Sequence, residues 1–104
     1  MDPKVREHVA AWNRKHGYSA DNDEDIWETL VDAAEHVWSG DEDQRRWWTE
    51  YFHVVSLNGM FIGFTDAKTT GDDSARDKGW EPDFDSVCEV EPVEVRKTEF
   101  RRKV

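Results

Sequence analysis

The chain has 104 residues, with 24 Asp and Glu against 14 Lys and Arg, a formal net charge of −10, and 37% apolar residues. That length suits one domain, and six Trp, five Phe and two Tyr argue against disorder, which is poor in such residues. Arg96, Lys97, Arg101, Arg102 and Lys103 against Glu99 alone make the last nine residues +4, leaving −14 on residues 1–95. A body so charged repels phosphates, which excludes direct nucleic-acid binding except through the tail. Its natural complements are basic surfaces, including the phosphate-binding grooves of nucleic-acid enzymes.

Cys88 is the sole cysteine, so an intrachain disulfide is ruled out and a reducing compartment is expected. No apolar run approaches the ~20 residues of a membrane span. The start Met1-Asp2-Pro3 lacks a basic segment followed by an apolar one, so no secretion signal is expected and the location is expected to be cytoplasmic.

The first helix is well signalled. Asp2 caps it, Pro3 suits its first position and Gly17 stops it. Val5, Val9, Trp12 and His16 form one narrow apolar stripe. A second helix is expected from Asn22 to Trp38, opened by Asp21 and Glu24 in a capping-box spacing and ended by Gly40. Ile26, Leu30, Ala33 and Val37 would share its buried face, widened by Trp27, Val31, Ala34 and Trp38. Asp25, Glu28, Asp32 and Glu35 would line the opposite face, rising about 15 Å along the axis. Residues 21–43 hold ten acidic side chains and no Lys or Arg, so that wet face is purely anionic.

Two β-rich runs, Trp47 to Leu57 and Met60 to Ala67, flank Asn58-Gly59, the strongest two-residue hairpin signal. Such a turn sets Leu57 opposite Met60, Val55 opposite Ile62 and His53 opposite Phe64. Tyr51, His53, Val55, Leu57, Met60, Ile62 and Phe64 then face the core. The opposite face, with Phe52, Val54 and Phe61, is apolar enough to expect partial cover by a helix or a partner. A long polar loop, residues 69–86, follows. The chain closes with a strand-like Val87 to Phe100, interrupted at Pro92 where the apolar parity changes.

The fold class expected is α+β: two N-terminal helices packed on a three- to four-stranded antiparallel sheet. Residues 1–104 form one domain, with a helical part at 1–40 and the hairpin plus C-terminal strands at 46–101.

Catalytic and metal signatures are absent from the pattern. His8, His16, His36 and His53 lack ligand-like spacing. The loop acids, Asp72 and Asp73 among them, do not match a calcium loop or a two-metal nuclease. Cys88 in a strand suits a small buried thiol. No enzyme activity, metal or cofactor is therefore expected. Trp47 and Trp48 point to opposite faces of a strand, so at most one joins a given core, and the other is an interface candidate. Trp80 is placed to pin the long loop.

From Gly59 onward, Gly59-Met60-Phe61-Ile62-Gly63-Phe64, Thr69-Thr70-Gly71-Asp72, Gly79-Trp80-Glu81 and Cys88-Glu89-Val90-Glu91-Pro92 resemble small proteins encoded by bacteriophages and mobile elements. The resemblance implies a phage-like origin, hence the host cytoplasm. Small acidic phage proteins include inhibitors of host defence, anti-CRISPR proteins among them; that class shares no motif, so it assigns no residues.

Together these readings lead to a non-enzymatic acidic binding protein, an anti-CRISPR-like inhibitor that occludes a basic surface of a host protein, with a CRISPR effector subunit as one candidate. Asp25, Glu28, Asp32 and Glu35 would steer the partner. Trp47, Trp48 and the Asp72–Trp80 loop, with Asp73, would make the buried contacts. The basic tail pairing with the acidic helix of a second copy would give a homodimer. The alternative is a salt-adapted or accessory domain whose acidity serves solubility.

Overall fold

The computed structural model describes residues 1–94 and 100–103. It is an α+β arrangement, with two N-terminal helices followed by a four-stranded antiparallel sheet in the order β1-β2-β3-β4. The helices are α1 (Pro3–Lys15) and α2 (Asp23–Asp32). The strands are β1 (Glu35–Gln44), β2 (Thr49–Leu57), β3 (Met60–Lys68) and β4 (Cys88–Glu89). Among the described residues no helix is long and apolar enough to cross a membrane.

α1 has the expected bounds. The Asp2 carboxylate accepts the Lys4 N–H at 2.9 Å, Pro3 takes the first position, and Val5 and Val9 are fully buried. α2 begins one residue later than the capping-box spacing suggests: Asn22 is the N-cap, its side chain accepting the Asp25 N–H at 2.9 Å. It also ends early. The helix expected to reach Trp38 stops at Asp32, and residues from Glu35 onward form β1.

One force acts against a longer helix. β2, whose inner face is core, would be left with an open row of backbone donors and acceptors unless residues 35–44 pair with it. Val37 and Trp38 are good strand residues, and tertiary pairing decides the contest. The correction moves Ala33, Val37 and Trp38 out of the helical core face. Val37 and Trp38 are 46% and 49% exposed, on the sheet side away from the helices.

The β2–β3 hairpin has the register set by Asn58-Gly59: Leu57 opposes Met60, Val55 opposes Ile62, and His53 opposes Phe64. Both turn residues have positive φ, 48° and 82°. Val55, Leu57, Met60, Ile62 and Phe64 are buried beneath Val5, Val9, Ile26, Trp27 and Leu30, which is the main core. Trp27 meets Phe64 edge-on at 4.8 Å between centroids.

The fourth strand of the sheet is therefore β1 rather than a second C-terminal piece. β4 spans only Cys88–Glu89, with one further backbone bond from Val90 N–H to Phe61 O at 3.0 Å. Pro92, expected to mark a bulge, lies past the end of the strand. Residues 95–99 and 104 lie outside the described residues, so the rest of the expected strand and much of the basic tail do as well. The polar loop contains short 3-10 turns at Arg76–Lys78 and Phe84–Ser86. It is pinned by buried Ala75 and Trp80, with Trp80 6.0 Å from Trp27.

Candidate functional site: an acidic groove between the helices

Gly17, at φ 77°, reverses the chain after α1 and folds Tyr18 back over the helix, where its ring stacks on Trp12 at 5.8 Å and 11°. Asn13 is fully buried behind this turn and ties three segments together. Its Nδ2 donates to Ser19 O at 3.0 Å, and its Oδ1 accepts from the Thr29 hydroxyl on α2 at 2.6 Å. The C-terminal end of α1 is thereby fixed against α2.

The result is a groove of about 330 Å³ lined by Trp12, Tyr18, Asp25, Glu28 and Asp32, with Ser19, Thr29 and Ala33 completing the wall. Among the described residues no Lys or Arg lines it. Asp25 Oδ2 accepts from Ser19 Oγ at 2.7 Å and from the Asp21 N–H at 3.0 Å. These bonds favour the ionised form and hold the Asp25 carboxyl below its usual range, the Ser19 hydroxyl contributing most. Chemically, two stacked aromatic faces beside three carboxylates suit a planar or compact cation.

Three of the four carboxylates read as one stripe, Asp25, Glu28 and Asp32, are thus brought together. Glu35 is not on their helix; it opens β1. The neighbouring acids are partly neutralised from within: Arg6 pairs with Asp23 at 2.9 Å, and Arg76 chelates Glu24 at 2.7 and 3.2 Å, with Glu28 also in its field. Trp47 and Trp48 sit far along the chain at the β1–β2 turn. Trp47 is 57% exposed with Arg46 4.9 Å over its ring, while Trp48 packs at the edge of the core with its indole N–H buried and without an acceptor among the described residues. Asp72 and Asp73 are exposed on the loop, Asp73 paired with Lys78 at 3.1 Å. Trp80 is 7% exposed, with its ring packed in the core.

Trp12 and Tyr18 were not among the candidate contacts. The signal for them is weak: Gly17 marks a reversal, but only the buried Asn13 shows that the turn closes over the helix. A second cluster was equally hidden. His36 and His53 share a hydrogen bond of 2.8 Å between Nδ1 and Nε2. The other nitrogen of His53 meets Asp66 at 3.2 Å, and the Tyr51 hydroxyl donates to the same carboxylate at 3.2 Å. Burial, and then the Asp66 charge, push Tyr51 up to about 12. Among the described residues no group of three or more His, Cys, Asp or Glu is placed to hold a metal ion. Burial pushes the Cys88 thiol up, so its thiolate, the nucleophilic form, is disfavoured.

The chain matches no family model, no curated protein and no solved structure.

Proposed function

We propose that the protein is a non-enzymatic binding protein that docks its acidic groove on a basic, nucleic-acid-binding surface of another protein and occludes it, as anti-CRISPR-like inhibitors of phage type do. One observation carries the reading: Asp25, Glu28 and Asp32 share a groove with the stacked Trp12 and Tyr18, and among the described residues no Lys or Arg lines that groove. Surfaces that bind phosphates are rich in Arg. An Arg side chain laid on the Trp12–Tyr18 faces with its guanidinium toward Glu28 and Asp32 combines a cation–π contact of about 0.5–2 kcal/mol with charge-assisted hydrogen bonds. The surrounding negative field accelerates encounter and is screened beyond about 8 Å at physiological salt.

A second reading, acidity that serves solubility alone, is favoured by the internal pairing of Asp23 and Glu24 with Arg6 and Arg76. The two separate in one experiment. The protein is used as bait in a bacterial lysate, and a captured nucleic-acid-binding protein is then assayed for binding to its nucleic acid. Wild type is expected to compete the nucleic acid away. Glu28→Lys with Asp32→Lys, at unchanged Tm, is expected to lose competition, with Trp12→Ala intermediate. Equal competition by wild type and the charge-reversed variant removes the proposal.

A further inference from the structure

The polar end of the inner sheet face holds a chain of titratable groups outside the acidic groove. His36, near the start of β1, and His53 of β2 face each other through Nδ1 and Nε2 at 2.8 Å, with ring centroids 4.8 Å apart. His36 is exposed, whereas the His53 side chain is 13% exposed and its ring lies 5.0 Å from that of buried Phe64. His53 Nδ1 meets Asp66 Oδ2 at 3.2 Å. Asp66 is itself fixed, accepting from the Tyr51 hydroxyl at 3.2 Å and from the Ala67 N–H at 2.8 Å.

These contacts assign the protons. A carboxylate only accepts, so His53 Nδ1 carries a hydrogen and, in the neutral ring, Nε2 is a bare acceptor. The His36 Nδ1–H is then the donor that fills it. One added proton leaves this bond in place, since His36 takes it on its outer nitrogen. A second has no such place. It puts hydrogens on both facing nitrogens and replaces the bond with two like charges.

The surroundings compensate one such charge and not two. Asp66 is shared with the Tyr51 hydroxyl and lies in the field of Arg76. Arg76 is held by Glu24 at 2.7 Å with Glu28 also in its field, so those two acids of α2 are directed at Arg76. Lys68 stands 5.3 Å over the Tyr51 ring and pairs with Glu42 at 2.6 Å. Glu35 precedes His36 and, by strand alternation, points to the opposite face.

The bond sits where β1 is weakest. Glu35 opposite Ser56 and His36 opposite Val55 are the first rungs of the β1–β2 ladder, and a register shift follows before Trp38. Such a shift disrupts the ladder locally. At the far end, Glu42–Lys68 and Arg45–Glu50 tie the strand and its turn instead, through residue types that do not ordinarily change charge between pH 5 and 8.

We propose that the His36–His53 bond is an acid-sensitive clamp that ties the start of β1 to β2 and opens when both rings are charged. The unfolded chain charges both rings without losing a bond, so the contribution of the clamp is complete above about pH 7 and is lost as pH falls toward about 5. The clamp lies apart from the acidic groove and holds whether or not that groove binds a partner.

The test is amide hydrogen exchange of the full chain by NMR at pH 5.5 and 7.5, with rates corrected for the intrinsic pH dependence. Residues 35–39 are expected to lose protection roughly five-fold at the lower pH, while residues 42–44 hold theirs. His36→Gln keeps a group that bonds His53 in either charge state and does not titrate, so the step is expected to vanish. His36→Phe, with no bond to lose, is expected to exchange fast at both pH values. Nitrogen-resolved imidazole spectra at pH 7.5 are expected to place the His53 hydrogen on Nδ1. A hydrogen on Nε2 instead, no step in the wild type, an equal step in His36→Gln, or an equal loss at residues 42–44 overturns the proposal.

Discussion

The two faces of the β2–β3 hairpin are made by the same strands and are both apolar, yet they meet different fates. On the inner face, Val55, Ile62 and Phe64 are at most 1% exposed beneath α1 and α2. On the outer face Phe61 is 37% exposed and Trp38, on the adjoining strand, 49%. Alternation tells which residues share a face, but coverage depends on where the helices are tethered. α1 and α2 both precede the sheet, and the buried Asn13–Thr29 bond locks them to each other. They form one layer on one side. Among the described residues the outer side receives only the Val90–Val93 segment, which walls a groove there.

This contrast is open to direct attack. The largest effect is expected from Phe64→Ala, which removes a fully buried ring and leaves a cavity, at a cost of about 3–5 kcal/mol. Phe61→Ala, on the other face of the same strand, is expected to cost less than about 1 kcal/mol. Urea unfolding of both variants checks the pair, and equal losses mean that the outer face is covered. Gly63→Ala comes next. The new methyl meets the Phe52 ring at 2.3 Å and Val90 Cγ1 at 2.9 Å, so the ring must leave its seat, at about 1–3 kcal/mol. Gly40→Ala is expected to cost less, because exposed Trp38 has room to swing.

A pH-dependent effect concerns the polar end of the inner face. Tyr51, raised to about 12 by burial and by Asp66, keeps its proton better folded than unfolded, where the phenol titrates near 10. Its contribution is complete below pH ~10 and is lost as pH rises through about 12. Tyr51→Phe is therefore expected to show a shallower fall in stability over that window, read by Tm against pH. An unchanged slope places the alkaline sensitivity elsewhere.

Much of the fold was legible because its signals are local. Asp2, Pro3 and Gly17 bracket α1 within one segment. Asn58-Gly59 determines the hairpin register by backbone geometry alone, and with it the buried face. The acidic stripe was half legible: Asp25, Glu28 and Asp32 fall on one helix face at helical spacing, whereas Glu35 followed a period that continues in the sequence and not in the chain. Residues 33–38 satisfy a helical wheel and a strand alike, and no residue within them chooses. The groove partners Trp12 and Tyr18, and the His36–His53–Asp66 chain, depend on contacts between segments that no spacing records.

The amino-acid sequence by itself determined the charge, the caps, the turn and the alternation, since each acts over a few residues through backbone preference or side-chain type. Only the tertiary structure decided that β2 draws residues 35–44 into its open edge, shortening the helix, breaking the anionic row and leaving Trp38 on an open face. The reason is energetic: pairing residues 35–44 along the edge of β2 satisfies a row of backbone donors and acceptors, which outweighs the weak local helical preference of six residues.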